Sequence, residues 1–336
     1  MLNNEFSFIA KKVAKLKPRN YWLIRTNGGQ NYNYFKQNNV VGIGWSKILL
    51  QDIKNLKFGE VGELAIVKKV QKEYPEERNP KSAINQLKRF IFDIKRGDIV
   101  IIPDYNSFIL SIGEITDDIT IERSNIHIND KRTDINKFRK VEWKTTILKE
   151  LMEAELYKML FAHRAVSLIT KYEFFIDRIL NTFYFKNGNF HLVMDIQEKK
   201  DIVGMDFFKT WVEVFELIEE FGKENKIEVV PSKLRTKFKV QSPGIIEFIT
   251  ENFQTIVILA SVTFLLVGGD FAIKLKEREA RFKTDGLINR IDKFLNNRAN
   301  RNICNIIAKK MENGLKLKDS EDFIKILKEI PKDNHE

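Results

Sequence analysis

Three residues in this sequence spell an arrangement that can hold a metal. Pro103-Asp104 precedes Glu142-Trp143-Lys144, two carboxylates with a lysine two residues beyond the second. In such a pattern the carboxylates hold Mg²⁺ and the lysine sits near the attacking water. A nuclease reading therefore makes Asp104, Glu142 and Lys144 catalytic and Mg²⁺ the cofactor; every other reading of the chain expects no cofactor. A weaker echo is Glu198-Lys199-Lys200 with Asp177 or Asp195. Other chemistry is thin. His127, His163, His191 and His335 lack metal-ligand spacing, and Cys304 has no histidine near it and reads as a small core residue. No glycine-rich loop ends in Lys and Ser or Thr, which argues against nucleotide hydrolysis.

Composition narrows the class. The 336 residues are 43% hydrophobic and 31% charged, too apolar for a disordered chain. One cysteine excludes a disulfide scaffold and fits a reducing compartment. The apolar patch Phe6 to Ala10 is short and its basic residues follow it, the wrong order for a secretion signal, so a cytoplasmic location is expected. The net charge of +11 is unevenly spread. Residues 1–145 carry 26 basic and 17 acidic side chains, residues 146–273 carry 15 and 18, and residues 274–336 carry 16 and 11. Basic ends suggest a polyanionic partner such as nucleic acid, a nucleotide or an anionic membrane surface. An excess of lysine, 41 against 16 arginines, also fits a merely solvated surface.

The elements that must position any site follow from periodicity. Asn20 to Arg25, Val40 to Trp45, Ile99 to Ile102, Phe108 to Ile115 and Phe138 to Thr145 read as strands. Phe58 to Tyr74 and Ser82 to Ile94 read as helices, and Arg96-Gly97-Asp98 as a turn. Ile147 to Leu160 and His163 to Leu180 have helical periods. Asn187-Gly188 marks a hairpin between 183–185 and 190–196. A helix over 207–221 and strands over 226–230 and 237–241 complete a β-β-α-β-β unit, and helices follow Ser242-Pro243-Gly244. The expected organisation is 1–146, a helical linker over 147–182, a small unit over 183–241 and a helical region over 242–336.

The order Tyr21-Trp22-Leu-Ile-Arg25, Gly42-Ile-Gly44-Trp45, Ile94-Lys-Arg-Gly97-Asp98-Ile-Val100, Ser111-Ile-Gly113-Glu114 and Arg139-Lys-Val141-Glu-Trp143 resembles the PUA-like superfamily of EVE and YTH type. The resemblance spans about the first 145 residues. It implies an α+β protein led by a small, strongly bent β-barrel with flanking helices, and a setting among bacterial restriction and phage-defence proteins. Related domains hold a nucleobase, often a modified one, in an aromatic-lined pocket. A flipped base has two π faces and a polar edge, so its reader needs aromatic walls, hydrogen-bonding groups and close backbone. Trp22, Trp45, Tyr105 and Phe108 are the candidate walls. Arg25, Asn27 and Ser111 are candidates for the edge, and Gly44 for close approach.

The uncharged run Phe253 to Gly269 leaves three readings open: a buried or oligomer-interface helix, a membrane span, or a strand. A span needs about 17–25 apolar residues and this run meets only the lower bound. Lys274, Lys276, Arg278, Arg281 and Lys283 follow it, as on the cytoplasmic side of an inner-membrane protein. The leading expectation is a nucleic-acid- or nucleotide-binding protein of antiviral-defence type, acting by binding and coupled to an assembling, homo-oligomeric C-terminal region. A membrane-associated effector and the Mg²⁺-dependent nuclease are its alternatives.

Overall fold

The structure, a computed structural model, describes residues 2–56, 60–124, 126–128, 131–239, 244–267 and 286–330. The chain is a mixed α+β protein containing a curled, half-barrel sheet. It divides into two compact units, Pro18–Leu180 and a composite of Met1–Lys17 with Asn181–Glu336.

The Pro18–Leu180 unit is built on β1 (Tyr21–Ile24), α1 (Tyr32–Gln37), β2 (Val40–Ile43), α2 (Leu50–Asn55), α3 (Glu60–Glu73), α4 (Pro80–Lys88), β3 (Ile99–Pro103), β4 (Ile109–Ile115), β5 (Lys137–Leu148), β6 (Val166–Leu168) and α5 (Glu173–Leu180). The sheet order is β6-β1-β3-β4-β5-β2, with β1 and β3 parallel and the other pairs antiparallel. All four residues of β1 are buried. Trp22 and Ile24 pack into one apolar cluster with α1 to α4, and Tyr21 and Leu23 into another with Met152, Leu156, Met159, Ile169, Tyr172 and Ile176. A strand covered on both faces reads as a continuous apolar run.

The curl has an identifiable cause. Residues 141–148 of β5 pair with β4, and residues 137–140 of the same strand pair with β2. Within the stretch that pairs with β4, Ile112 faces Thr145 while Gly113 faces Trp143, so Lys144 is an extra residue in β5. Such a bulge bends its strand and adds twist. Gly113 fits there because a Cβ would lie 2.4 Å from Val141 Cγ1.

Two expectations for this unit change. The helix expected over 163–180 begins only at Glu173, preceded by a single 3-10 turn; its first part supplies β6, which pairs with β1. The stretch 147–182 is accordingly no separate linker, since all of it up to Leu180 belongs to the same unit.

In the composite unit a six-stranded mixed sheet runs Ala14–Lys15, Phe183–Lys186, Asn189–Ile196, Gly244–Thr250, Arg235–Lys239, with Leu317–Lys318 also pairing with Asn189–Ile196. Asn187 and Gly188 have φ of 49° and 79°, the left-handed pair that a tight hairpin turn requires. No strand forms over 226–230, and the chain after 243 opens with the strand Gly244–Thr250 rather than a helix. The basic stretch Phe271 to Arg281, with its flanking cations, and Ser242-Pro243 lie outside the described residues.

The apolar run resolves into the helix Phe253–Val267, whose residues 255–264 are all buried among Gly204–Asn225, the sheet, Leu287–Leu295 and Arg301–Lys309. Ser261 and Thr263 donate to the carbonyls of Val257 and Leu259 at 2.8 and 3.0 Å, which is how hydroxyls are accommodated in that core. The fifteen described residues of this helix span about 22 Å. Among the described residues no helix is long and apolar enough to cross a membrane. Truncating Ile258, fully buried in this helix, to Ala removes contacts on every side. Urea unfolding of Ile258→Ala is expected to show a loss of about 2–5 kcal/mol.

Candidate functional site

The sequence-selected residues separate into two groups. Arg25, Asn27, Gly44 and Trp45 line one cavity of about 380 Å³, together with Asn31, Gly42, Ile43, Thr133, Asp134, Ile135, His163 and Ala165. Trp22, Tyr105, Phe108 and Ser111 do not line it. Trp22 is 3% exposed and its indole N–H donates to Asp98 Oδ2 at 2.8 Å, so this tryptophan is core and holds the Arg96-Gly97-Asp98 turn. Ser111 is fully buried, its hydroxyl 2.7 Å from the Tyr32 hydroxyl and 3.2 Å from that of Thr146. Tyr105 and Phe108 stand on the β3–β4 hairpin, 68% and 63% exposed. They fall outside the cavity because Asn106 and Ser107, both with positive φ, turn the chain outward there.

The centre of the cavity is a strained turn. Trp45 has φ of 58°, a left-handed conformation that is a true outlier for a bulky side chain. The Asp134 carboxylate holds it. Its Oδ2 accepts from Trp45 N at 2.8 Å, and its Oδ1 accepts from Ser46 N at 3.0 Å, Ser46 Oγ at 2.7 Å and Tyr74 OH at 2.9 Å. Burial, with Asp134 adding to it and the Lys47 N–H working against it, pushes the Tyr74 phenol up to about 12, so it remains a donor at neutral pH. From beneath, Lys137 Nζ donates to Trp45 O at 3.1 Å and to Asn136 Oδ1 at 2.8 Å. Gly44 lies close beside the clamp, where a Cβ would stand 3.2 Å from Asp134 Oδ2.

The opposite wall is equally fixed. The Arg25 guanidinium donates to the carbonyls of Ala162, through Nε at 2.9 Å and Nη2 at 2.7 Å, and of Leu160, while Arg25 N donates to Ala165 O at 2.9 Å. Burial lowers the Arg25 pKa from its ordinary value. The role of Arg25 is therefore to fasten the strap 160–165, which carries His163 and Ala165 to the cavity. Asn27 donates to Gln30 Oε1 at 3.0 Å and shapes the loop below.

Asn31 was not visible as a site residue in the sequence. An asparagine directly before a helix reads as an N-cap. Here it occupies the N-cap position of α1, but its side chain makes no cap hydrogen bond. The residue is 3% exposed, lines the cavity, and its carboxamide has no partner among the described residues. Not engaged in capping, the carboxamide stands on the cavity lining, where it can meet a ligand edge. Asp134 was equally invisible, since it meets Trp45 across 89 positions of sequence.

The nuclease constellation does not assemble. Glu142 faces Glu114, which faces Ile99 at the start of β3, whereas Asp104 follows the far end of β3. Five residues of strand separate them by about 16 Å. Asp104 instead accepts from Ile109 N at 2.7 Å in the hairpin, and Glu142 pairs with Lys144 at 2.8 Å. Among the described residues no group of three His, Cys, Asp or Glu is placed to hold a metal ion. Glu198 accepts from the N–H groups of Lys199 and Lys200 and pairs with Lys316 at 3.0 Å, a local turn that holds its carboxyl down at about 2.

Lys137 gives the site a pH signature. Burial lowers its pKa from 10.5 to about 8, against the pull of Glu122 and Asp134. The unfolded chain thus binds more protons than the folded one between these values, and the Lys137 contribution to stability rises with pH across that window. Chemical denaturation of the protein and of Lys137→Met at pH 7.5 and 9.5 is expected to show a gain with pH in the native chain that the variant lacks.

Residues 21–170 match a family model described as a domain of unknown function (DUF8426). The match covers less than half of the chain, falls within the Pro18–Leu180 unit and takes in every residue that lines the Trp45 cavity. No curated protein matches the chain.

Proposed function

We propose that the Pro18–Leu180 unit is a PUA-like reader that takes a nucleobase, from nucleic acid or a nucleotide, into the Trp45 cavity. The observation that carries this reading is a half-buried tryptophan at positive φ and an asparagine, Asn31, lining the same cavity. A cavity of about 380 Å³ lies within the usual range of about 300–1,000 Å³ for small-ligand sites. Trp45 offers a stacking face, and a planar amide offers one donor and one acceptor side by side, the complement of a base edge. Gly42 and Gly44 also line the cavity, and His163 stands exposed at the mouth.

The strain at Trp45 supports the same reading. Left-handed backbone at a bulky residue persists only where surrounding contacts over-determine it, and such outliers gather at ligand sites. The curled sheet, with one long strand serving two neighbours, is compatible with the bent barrel that the resemblance implies. In the defence setting implied by that resemblance, the base entering this cavity is the signal and the composite unit is the assembling or effector part.

Binding, not catalysis, is the activity assigned to the cavity. Titration of a labelled single-stranded oligonucleotide, with anisotropy as the readout, tests it. Trp45→Ala and Asn31→Ala are each expected to weaken binding by about tenfold or more, the scale of one lost base stack. Tyr105→Ala, which changes an exposed ring outside the cavity, is expected to stay within about twofold. Undiminished binding by Trp45→Ala would remove the reading.

A further inference from the structure

The Pro18–Leu180 unit holds a second, larger cavity of about 630 Å³ along α4 and the turn that follows it. Its lining includes Lys81, Lys88, Arg89 and Arg164 against one carboxylate, Asp93. Lys88 is spent on Glu63 at 2.9 Å. Lys81, Arg89 and Arg164 have no ion-pair partner among the described residues. Unpaired cations gathered in a concavity are a site for an anion, and arginine's planar fork suits phosphate oxygens.

A second observation concerns Gln86. The residue is 3% exposed and lines this cavity. Its Oε1 accepts from Val166 N at 2.8 Å, which fixes the orientation of the amide and leaves the NH₂ as donor. That NH₂ has no protein partner among the described residues. That donor and the three cations line one cavity, a set suited to an oxyanion.

The two cavities share a wall. His163 and Ala165 line the Trp45 cavity, and Arg164 between them lines the α4 cavity. Arg25 fastens this strap through its carbonyls, and Gln86 fastens it through the N–H of Val166. A ligand with a base on one side of the strap and phosphate on the other is built of nucleotide units, as a nucleic-acid strand is.

We propose that the α4 cavity is a phosphate-binding site, and that it takes backbone phosphate of the strand whose base enters the Trp45 cavity. This rests on the base-binding reading and adds phosphate to what its ligand must carry. The test compares the protein with an Arg89→Ala, Arg164→Ala double variant, titrating a short single-stranded oligonucleotide across a salt series, a nucleoside and inorganic phosphate. The double variant is expected to lose at least about tenfold in oligonucleotide affinity. Its slope of log affinity against log salt should shrink by about one per cation removed, while nucleoside binding is retained. Lys81→Ala with Arg164→Ala changes two exposed side chains and supplies the same readout should loss of Arg89 impair folding. Unchanged oligonucleotide affinity and slope would overturn the proposal. So would inorganic phosphate binding that the double variant loses while both proteins hold the oligonucleotide equally, because the cavity would then serve free phosphate. Failure of the base reading shows separately, as nucleoside and oligonucleotide binding that ignores Trp45→Ala.

Discussion

The candidate site depends on one carboxylate. Asp134 receives hydrogen bonds from two backbone N–H groups, one hydroxyl and one phenol, and through them holds Trp45 in a left-handed turn. Without those bonds a tryptophan at positive φ relaxes toward ordinary backbone, at a gain of about 1–2 kcal/mol. The ring would then leave the cavity wall. Lys137, buried beneath the turn, completes the clamp by occupying the Trp45 carbonyl. Charge-assisted bonds of this kind are short and directional, and so can hold strain that a neutral contact would release.

The clamp works only because the sheet brings its halves together. Trp45 follows β2 and Asp134 precedes β5, and the antiparallel pairing of Val40–Ile43 with residues 137–140 sets them side by side. The same β5 continues past the Lys144 bulge to pair with β4, so the bend that curls the sheet also fixes the cavity floor. On the other side, β6 extends the sheet beyond β1 and delivers the strap to Arg25. Backbone pairing thus does the coarse positioning, and two charged side chains, Asp134 and Arg25, do the fine positioning.

How much of this was legible in the sequence depended on the range of the interaction. Local signals held: the Gly97 turn, the Asn187-Gly188 hairpin and the apolar β3 all follow from neighbouring residues. Trp22 was misplaced as a candidate wall because an aromatic strand residue reads the same whether it faces a core or a ligand, and its distinguishing partner, Asp98, is 76 positions away. Asn31 carried no signal, because the helix Tyr32–Gln37 that it precedes was itself not read from the sequence. The segment that forms β6 has a helical period, yet the free edge of β1 outweighs it, since ladder bonds are available there. The helix Phe253–Val267 was ambiguous because membrane and core demand the same apolar side chains; only its packed neighbours distinguish them.

The central claim is that a base stacks on Trp45 and satisfies Asn31. A crystal structure of the protein with a short single-stranded oligonucleotide tests it most directly. The account predicts one base flipped into the cavity, its plane against the Trp45 indole and its edge hydrogen-bonded to the Asn31 carboxamide. An oligonucleotide bound elsewhere on the protein, with the Trp45 cavity empty of it, would contradict the account.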